Sequence, residues 1–379
     1  MKKTFICLAT LSALTSSAAH ADITFNGFAS VVGGMTTSSK DQLYNFDDNL
    51  DFKQGSLFAL QASSDLDNGL GVTLQLTAKG ADDWDPEFKW AYVSYDASDE
   101  FRILAGRQRA PFYMYSDYLD VSYAYPWISP PKGVYNLIFD TFDGLGGIYT
   151  TSFGNVDATF HGIYGRNTDD IEAFSQQVKP DITDLTGLSS TFVYDWLTLR
   201  ASYFVADVSI PLTDLQTLSA GWQQAGFNDI AQQTNIAEDD ASFLEFGFQM
   251  HFDNLQIVGE YTNLDIDNSP LVEEESYYVM AGYQFDRILL HLTYGKDDNT
   301  ISNYTSGVPY GIAPTLDFLK GTTEEIITNQ ISKENYLTFG VRYDFHDSAA
   351  VKFEYTDFEN ETDSSYDAGL FRMALVTVF

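Results

Sequence analysis

The residues from Phe371 to Phe379 alternate, with Phe371, Met373, Leu375, Thr377 and Phe379 on one side of an extended chain and Arg372, Ala374, Val376 and Val378 on the other. Successive side chains of a strand point to opposite faces, so this period reads as a sheet with one apolar face. The same dyad sets Leu244, Phe246, Phe248, Met250 and Phe252 against Glu245, Gly247, Gln249 and His251. It recurs in Leu337, Phe339, Val341, Tyr343 and Phe345 against Thr338, Gly340, Arg342 and Asp344, and in Val351, Phe353 and Tyr355 against Lys352, Glu354 and Thr356. Seven tight turns, at 65–69, 96–99, 152–155, 195–196, 253–254, 286–287 and 346–348, carry the Asp, Asn and Gly that hairpins use. Eight longer polar connections alternate with them, at 35–52, 80–87, 109–143, 167–187, 209–241, 266–273, 297–334 and 359–366. Together they join about sixteen antiparallel strands. A final strand that ends on an apolar residue is expected to pair with the first, because an open edge cannot be satisfied in lipid.

A soluble β-sandwich would show the same alternation with its polar face in bulk water, so the pattern alone leaves that fold open. The N-terminus shifts the balance. Lys2 and Lys3, an apolar run from Phe5 to about Leu14, and the small-residue site Ala19-His20-Ala21 predict a leader, residues 1–21, cleaved after Ala21. The run is too short to span a bilayer, and Cys7, the one cysteine, lies within it, so no disulfide is expected in the mature chain. Mean hydropathy is −0.17, as an alternation of lipid-facing and water-facing residues would average. The 24 Tyr and 29 Phe suit interfacial girdles. Removing Lys2 and Lys3 from 20 basic residues leaves 18 against 54 acidic, a net charge of about −36 that excludes nucleic acid as a partner.

One segment is more specific. Lys89-Trp-Ala-Tyr-Val-Ser-Tyr-Asp96, a turn, and then Phe101-Arg-Ile-Leu-Ala-Gly-Arg-Gln-Arg-Ala-Pro-Phe-Tyr113 resemble the fourth and fifth strands of Gram-negative general porins. The resemblance implies a sixteen-stranded trimeric outer-membrane barrel over residues 22–379 that passes ions and small hydrophilic solutes and catalyses nothing. Gly106 and Arg107 match the family's Gly-Arg pair at the end of the fifth strand. The next loop, about Ala110 to Asp143, would fold inside the barrel and narrow it. Its length and its aromatics, Tyr113, Tyr115, Tyr118, Tyr123, Tyr125 and Trp127, also suit burial rather than exposure. The family's Pro-Glu-Phe-Gly-Gly loop signature is absent. Asp117, Asp120, Asp140 and Asp143 are the candidate constriction acids. Arg107 and Arg109 are the candidate opposing bases, with Arg200, Arg342, Lys352 and Arg372 on inferred lumen positions. Phe379 would be the signal read by the barrel assembly machinery, and outer-membrane lipid and lipopolysaccharide would surround the barrel. No cofactor or metal is implied.

Other readings are weaker. Small residues in 26–34 and 55–63, Ala29 and Ala59 among them, suggest a wall that touches neighbouring copies. Leu215, Leu218 and Trp222 recur at helical spacing and predict a short helix within a long loop. Asp265, Asp267, Asp297 and Asp298 lack a calcium-loop spacing and read as solvated loop charge. His161, His251 and His291 fall on lumen positions, which raises a barrel hydrolase as an alternative, yet no nucleophile with an ordered His and acid accompanies them. A secreted β-sandwich lectin or adhesin is a further alternative that the aromatics would also suit.

Overall fold

The computed structural model describes residues 22–39, 41–174 and 176–379, so the leader, with Cys7 and its cleavage site, lies outside the described residues. The strands are β1 (Ile23–Thr36), β2 (Leu57–Asp65), β3 (Leu70–Lys79), β4 (Pro86–Asp96), β5 (Phe101–Arg109), β6 (Thr141–Phe153), β7 (Val156–Asn167), β8 (Ile171–Ala173), β9 (Gln176–Val178), β10 (Asp181–Tyr194), β11 (Leu197–Ile210), β12 (Ile236–Phe252), β13 (Leu255–Ile266), β14 (Glu273–Phe285), β15 (Ile288–Thr300), β16 (Ser332–His346), β17 (Ala349–Asn360) and β18 (Ala368–Val378). All except β8 and β9, a short hairpin in a loop, form one closed antiparallel barrel. Closure runs through β1 and β18, in register from Phe28↔Val378 to Thr36↔Leu370. Beyond it Gly27 and Phe379 exchange backbone hydrogen bonds of 2.7 and 2.9 Å.

The seven tight turns fall where the Asp, Asn and Gly clusters predict them. Asp195, Asp253 and Asp286 adopt φ of +44°, +52° and +52°, a region short polar side chains tolerate. Phe246, Phe339 and Leu375 are about half exposed on the outer face, where lipid would cover them, while Arg342, Lys352 and Arg372 point inward. Among the described residues no helix is long and apolar enough to cross a membrane.

The early wall departs from the sequence reading at one position. Ala59 pairs with Phe28 and, like it, is buried, whereas its neighbours Phe58 and Leu60 are exposed. The alternation therefore turns Ala59 toward the lumen, and only Ala29, paired with Phe58, belongs to the outer row.

The loop helix expected around Trp222 is α1 (Thr213–Gln224), which buries Leu215, Leu218 and Trp222. It packs with α2 (Asn228–Gln233) and with α3 (Pro314–Gln330), where Leu319 and the Thr323 hydroxyl, 2.9 Å from the Trp222 indole N–H, meet it. Within α3, Gly321, Thr322 and Thr323 are poor helix formers and mask its apolar stripe.

Candidate functional site

The chain leaves the wall after Arg109 and returns at Thr141, and the Ala110 amide donates to the Asp140 carbonyl at 2.9 Å to close the neck of the intervening loop. Just before it, Gly106 adopts φ +126°, and a Cβ there would lie 2.4 Å from the Ala91 carbonyl oxygen. No other residue suits that conformation, which accounts for the glycine of the Gly-Arg pair.

From its neck the loop folds against the inner face of the barrel, from β11 to β18. One limb meets β11 to β14: the Ser202 hydroxyl donates to the Phe112 carbonyl at 2.7 Å and the Arg200 guanidinium to the Pro111 carbonyl. Buried Glu260 accepts from the Met114 amide at 3.1 Å, from the Tyr278 hydroxyl at 2.6 Å and from the Tyr135 hydroxyl. The other limb meets β15 to β18. Trp127 donates its indole N–H to Thr293 at 2.8 Å, and the Ile128 amide donates to Glu354 at 2.7 Å. The Lys352 ammonium donates to the carbonyls of Ser122, Tyr125 and Trp127. Arg342 donates to those of Tyr123 and Tyr125, and Arg372 to the Ser129 hydroxyl and to Glu354.

These contacts reassign several charges. Lys352 is 1% exposed and Arg372 7%, so both lie beneath the loop, where carbonyls and Glu354 satisfy them. They hold the loop and do not border open water. Tyr113, Tyr115 and Trp127 are each at most 3% exposed and pack within the loop and between it and the wall, so they offer solutes no stacking surface. Of the four acids, Asp120 and Asp140 join Arg109, Lys79 and Lys89 in a cluster at the loop's neck. Burial would raise the Asp120 carboxyl, but Arg109, Lys79 and Lys89 outweigh it and hold the group well below the usual carboxylate range. Asp143 pairs with Arg107 at 3.3 Å, and Arg107 also meets Asp169 and the Thr141 hydroxyl, so its partners belong to the wall and the following loop. Asp117 is exposed and, among the described residues, forms no ion pair. Apart from Lys79, Lys89 and Arg109, the described residues of the wall from β2 to β5 form no side-chain hydrogen bond or ion pair with the loop, and residues such as Gln61 and Tyr92 stay half-buried.

Glu245, Glu260, Lys79 and Lys89 escaped the sequence reading as site residues. Glu245 and Glu260 lie at the inward phase of β12 and β13, the alternation that identified Arg342, but nothing in their own segments shows that the loop will reach Glu260 or that the Arg200 guanidinium will stand 3.5 Å from Glu245. Lys89 sits at a register shift between β3 and β4, where parity fails. His161 and His291 are buried in the wall and His251 is exposed beside a hairpin turn; among the described residues none of the three is hydrogen-bonded to a Ser, Thr or Tyr hydroxyl.

The chain matches the model of the Gram-negative porin family over residues 8–364. It belongs to that family. No curated protein matches the sequence. Among solved structures, the porin resembles the anion-selective porin of Comamonas acidovorans at 14% identity and TM-score 0.59, over 95% of this chain and 100% of that one. It resembles OmpF of Salmonella typhi, solved in complex with daunomycin, at 14% identity and TM-score 0.58, over 95% and 98%. In-vitro folded OmpT of Vibrio cholerae, in its trimer form, matches at 14% identity and TM-score 0.58, over 95% and 99%. At these identities the likeness shows the fold, and the family match makes the protein an outer-membrane channel.

Proposed function

We propose that this porin passes ions and small hydrophilic solutes by passive diffusion with weak cation preference, and that it catalyses no reaction. The observation that carries the preference is the withdrawal of inward-facing bases from water: Lys352, Arg372 and Arg109 are each at most 7% exposed and held by the loop, while Asp117 and Lys132, both exposed and without an ion pair among the described residues, offset each other and leave the acid surplus of the chain to set the sign. A passage lined with one sign concentrates counter-ions. Much of the surplus acid lies in the long loops, where exposed charge is screened over a Debye length of about 8 Å at physiological salt, so the preference is modest and falls as salt rises. Reversal potentials in asymmetric KCl test this, and an anion-selective wild type overturns it. Arg107→Ala frees Asp143 and Asp169 from their shared partner and is expected to raise cation preference. An unchanged reversal potential would show that Arg107 lies off the ion path.

The mature protein is proposed to begin at Asp22 after removal of the leader, to be recognised by the assembly machinery through its last strand, and to sit among outer-membrane lipid and lipopolysaccharide as a homotrimer. The trimeric state of the Vibrio cholerae relative supports the last point. The outer row at Ala29, a small residue beside the exposed ring of Phe58, offers a close-approach surface. Ala29→Trp is expected to lower the temperature at which the trimer dissociates on a gel, while Leu337→Trp, at an outward position 45% exposed on β16, three strands around the barrel from β1, leaves it unchanged. Equal shifts in both variants would place the interface elsewhere.

A further inference from the structure

The inner face of β10 to β14 carries a feature that ion passage does not explain. Between this wall, the end of the inward loop and the β8–β9 hairpin lies a cavity of about 280 Å³. Phe112, Phe204, Phe243 and Phe139 form one side, with Phe112 set edge-to-face to the other three at centroid distances of 5.0, 5.3 and 5.5 Å. Ile138 and Phe174, 53% and 41% exposed, stand beside it on the loop and the hairpin. Side chains around an empty apolar cavity forfeit dispersion contacts, so packing alone would favour closing it. Apolar cavities of about 150 Å³ take up benzene, and this one has room for a ring with a short chain. The polarity around it has one sign: Glu172 and Glu274 are its ionisable lining residues, joined by Asn136, which donates to Glu274 at 2.7 Å, and among the described residues no Lys or Arg lines it.

We propose that this cavity is a binding site for a small cationic amphiphile, an aromatic or short aliphatic body that fills the phenylalanine-lined space and an ammonium group that meets Glu274 and Glu172. The ring replaces missing contacts and the ammonium finds carboxylates with no basic partner in the cavity, so both halves of the ligand gain. Such a molecule would be retained in the barrel while hydrophilic solutes pass it. The site does not require the barrel to conduct.

Calorimetric titration of the detergent-purified porin against a protein-free micelle blank tests the assignment with 4-phenylbutylammonium, 4-phenylbutyrate and n-butylammonium as probes. The first is expected to bind at least about tenfold more tightly than either of the others, because one lacks the right charge and the other the ring. Ala206→Phe projects a ring into the cavity and is expected to weaken 4-phenylbutylammonium at least about tenfold. Ala241→Leu, a smaller intrusion from the neighbouring strand, does the same in part and serves if the first variant fails to fold. Glu172→Gln with Glu274→Gln is expected to erase the preference for the cation over 4-phenylbutyrate while leaving the apolar contribution. Wild-type affinity in a folded cavity-filling variant, or equal affinity for cation and anion in the unsubstituted protein, overturns the proposal. Because heat of binding is the readout, a non-conducting barrel would leave the result unaffected.

Discussion

Deletion of Phe379 is expected to reduce the heat-modifiable, folded barrel in the outer membrane by about tenfold or more, while the molecules that do insert conduct normally. The residue completes the seam: its amide donates to the Gly27 carbonyl at 2.9 Å and its carbonyl accepts from the Gly27 amide at 2.7 Å. In hydrocarbon an unpaired backbone group costs several kcal/mol, and a single tenfold loss needs only about 1.4 kcal/mol. Its ring lies over Gly27 so closely that a Cβ there would be 2.3 Å from a ring carbon. Gly27→Ala displaces the ring without removing either hydrogen bond, and is expected to cost less than the deletion. If the deletion and Gly27→Ala lower folded barrel equally, the ring matters more than the seam. Normal outer-membrane levels of the truncated protein would show that neither is needed. Conductance is unaffected in every case because Phe379 lies on the wall, 69% exposed, and not in the lumen.

The wall was legible in the sequence because each strand states its own alternation and each hairpin its own turn chemistry. Asp253-Asn254 and Asp286-Arg287 specify turns with no help from the rest of the chain, and β12 through β18 carry their two faces in plain form. The early wall was harder: among Gly, Ala and Ser the apolar phase is faint, and a one-residue error of parity put Ala59 on the wrong face. The loop was recognisable by length and aromatics, whereas its seating was not. Glu260 and Tyr135 are 125 residues apart and Lys352 and Trp127 are 225 apart, and no local period encodes contacts of that separation. The inward phase of β17 identified Lys352 as a lumen residue, but it could not distinguish a charge facing water from one facing a carbonyl.

That distinction can be measured. Lys352→Met is expected to loosen the loop and to leave ion selectivity almost unmoved. The ammonium supports the carbonyls of Ser122, Tyr125 and Trp127. Each buried acceptor left unpaired costs about 1–3 kcal/mol. Removal of the ammonium also relieves its own desolvation, and water can enter a freed loop, so the net loss is on the order of 2–5 kcal/mol, borne by the loop. The barrel seam and the Arg342↔Lys352 backbone register do not depend on this side chain, so the variant should still fold and remain heat-modifiable. Single-channel records should show a larger and noisier current as the loop leaves the wall. Reversal potential should shift less than in Arg107→Ala, since the lost charge faced carbonyls. Thr338→Val, which removes only a 2.9 Å contact with Thr356 on the same stretch of wall, is expected to change neither current nor noise. A quiet Lys352→Met channel whose reversal potential moves toward stronger cation preference would place that ammonium in the ion path and not beneath the loop.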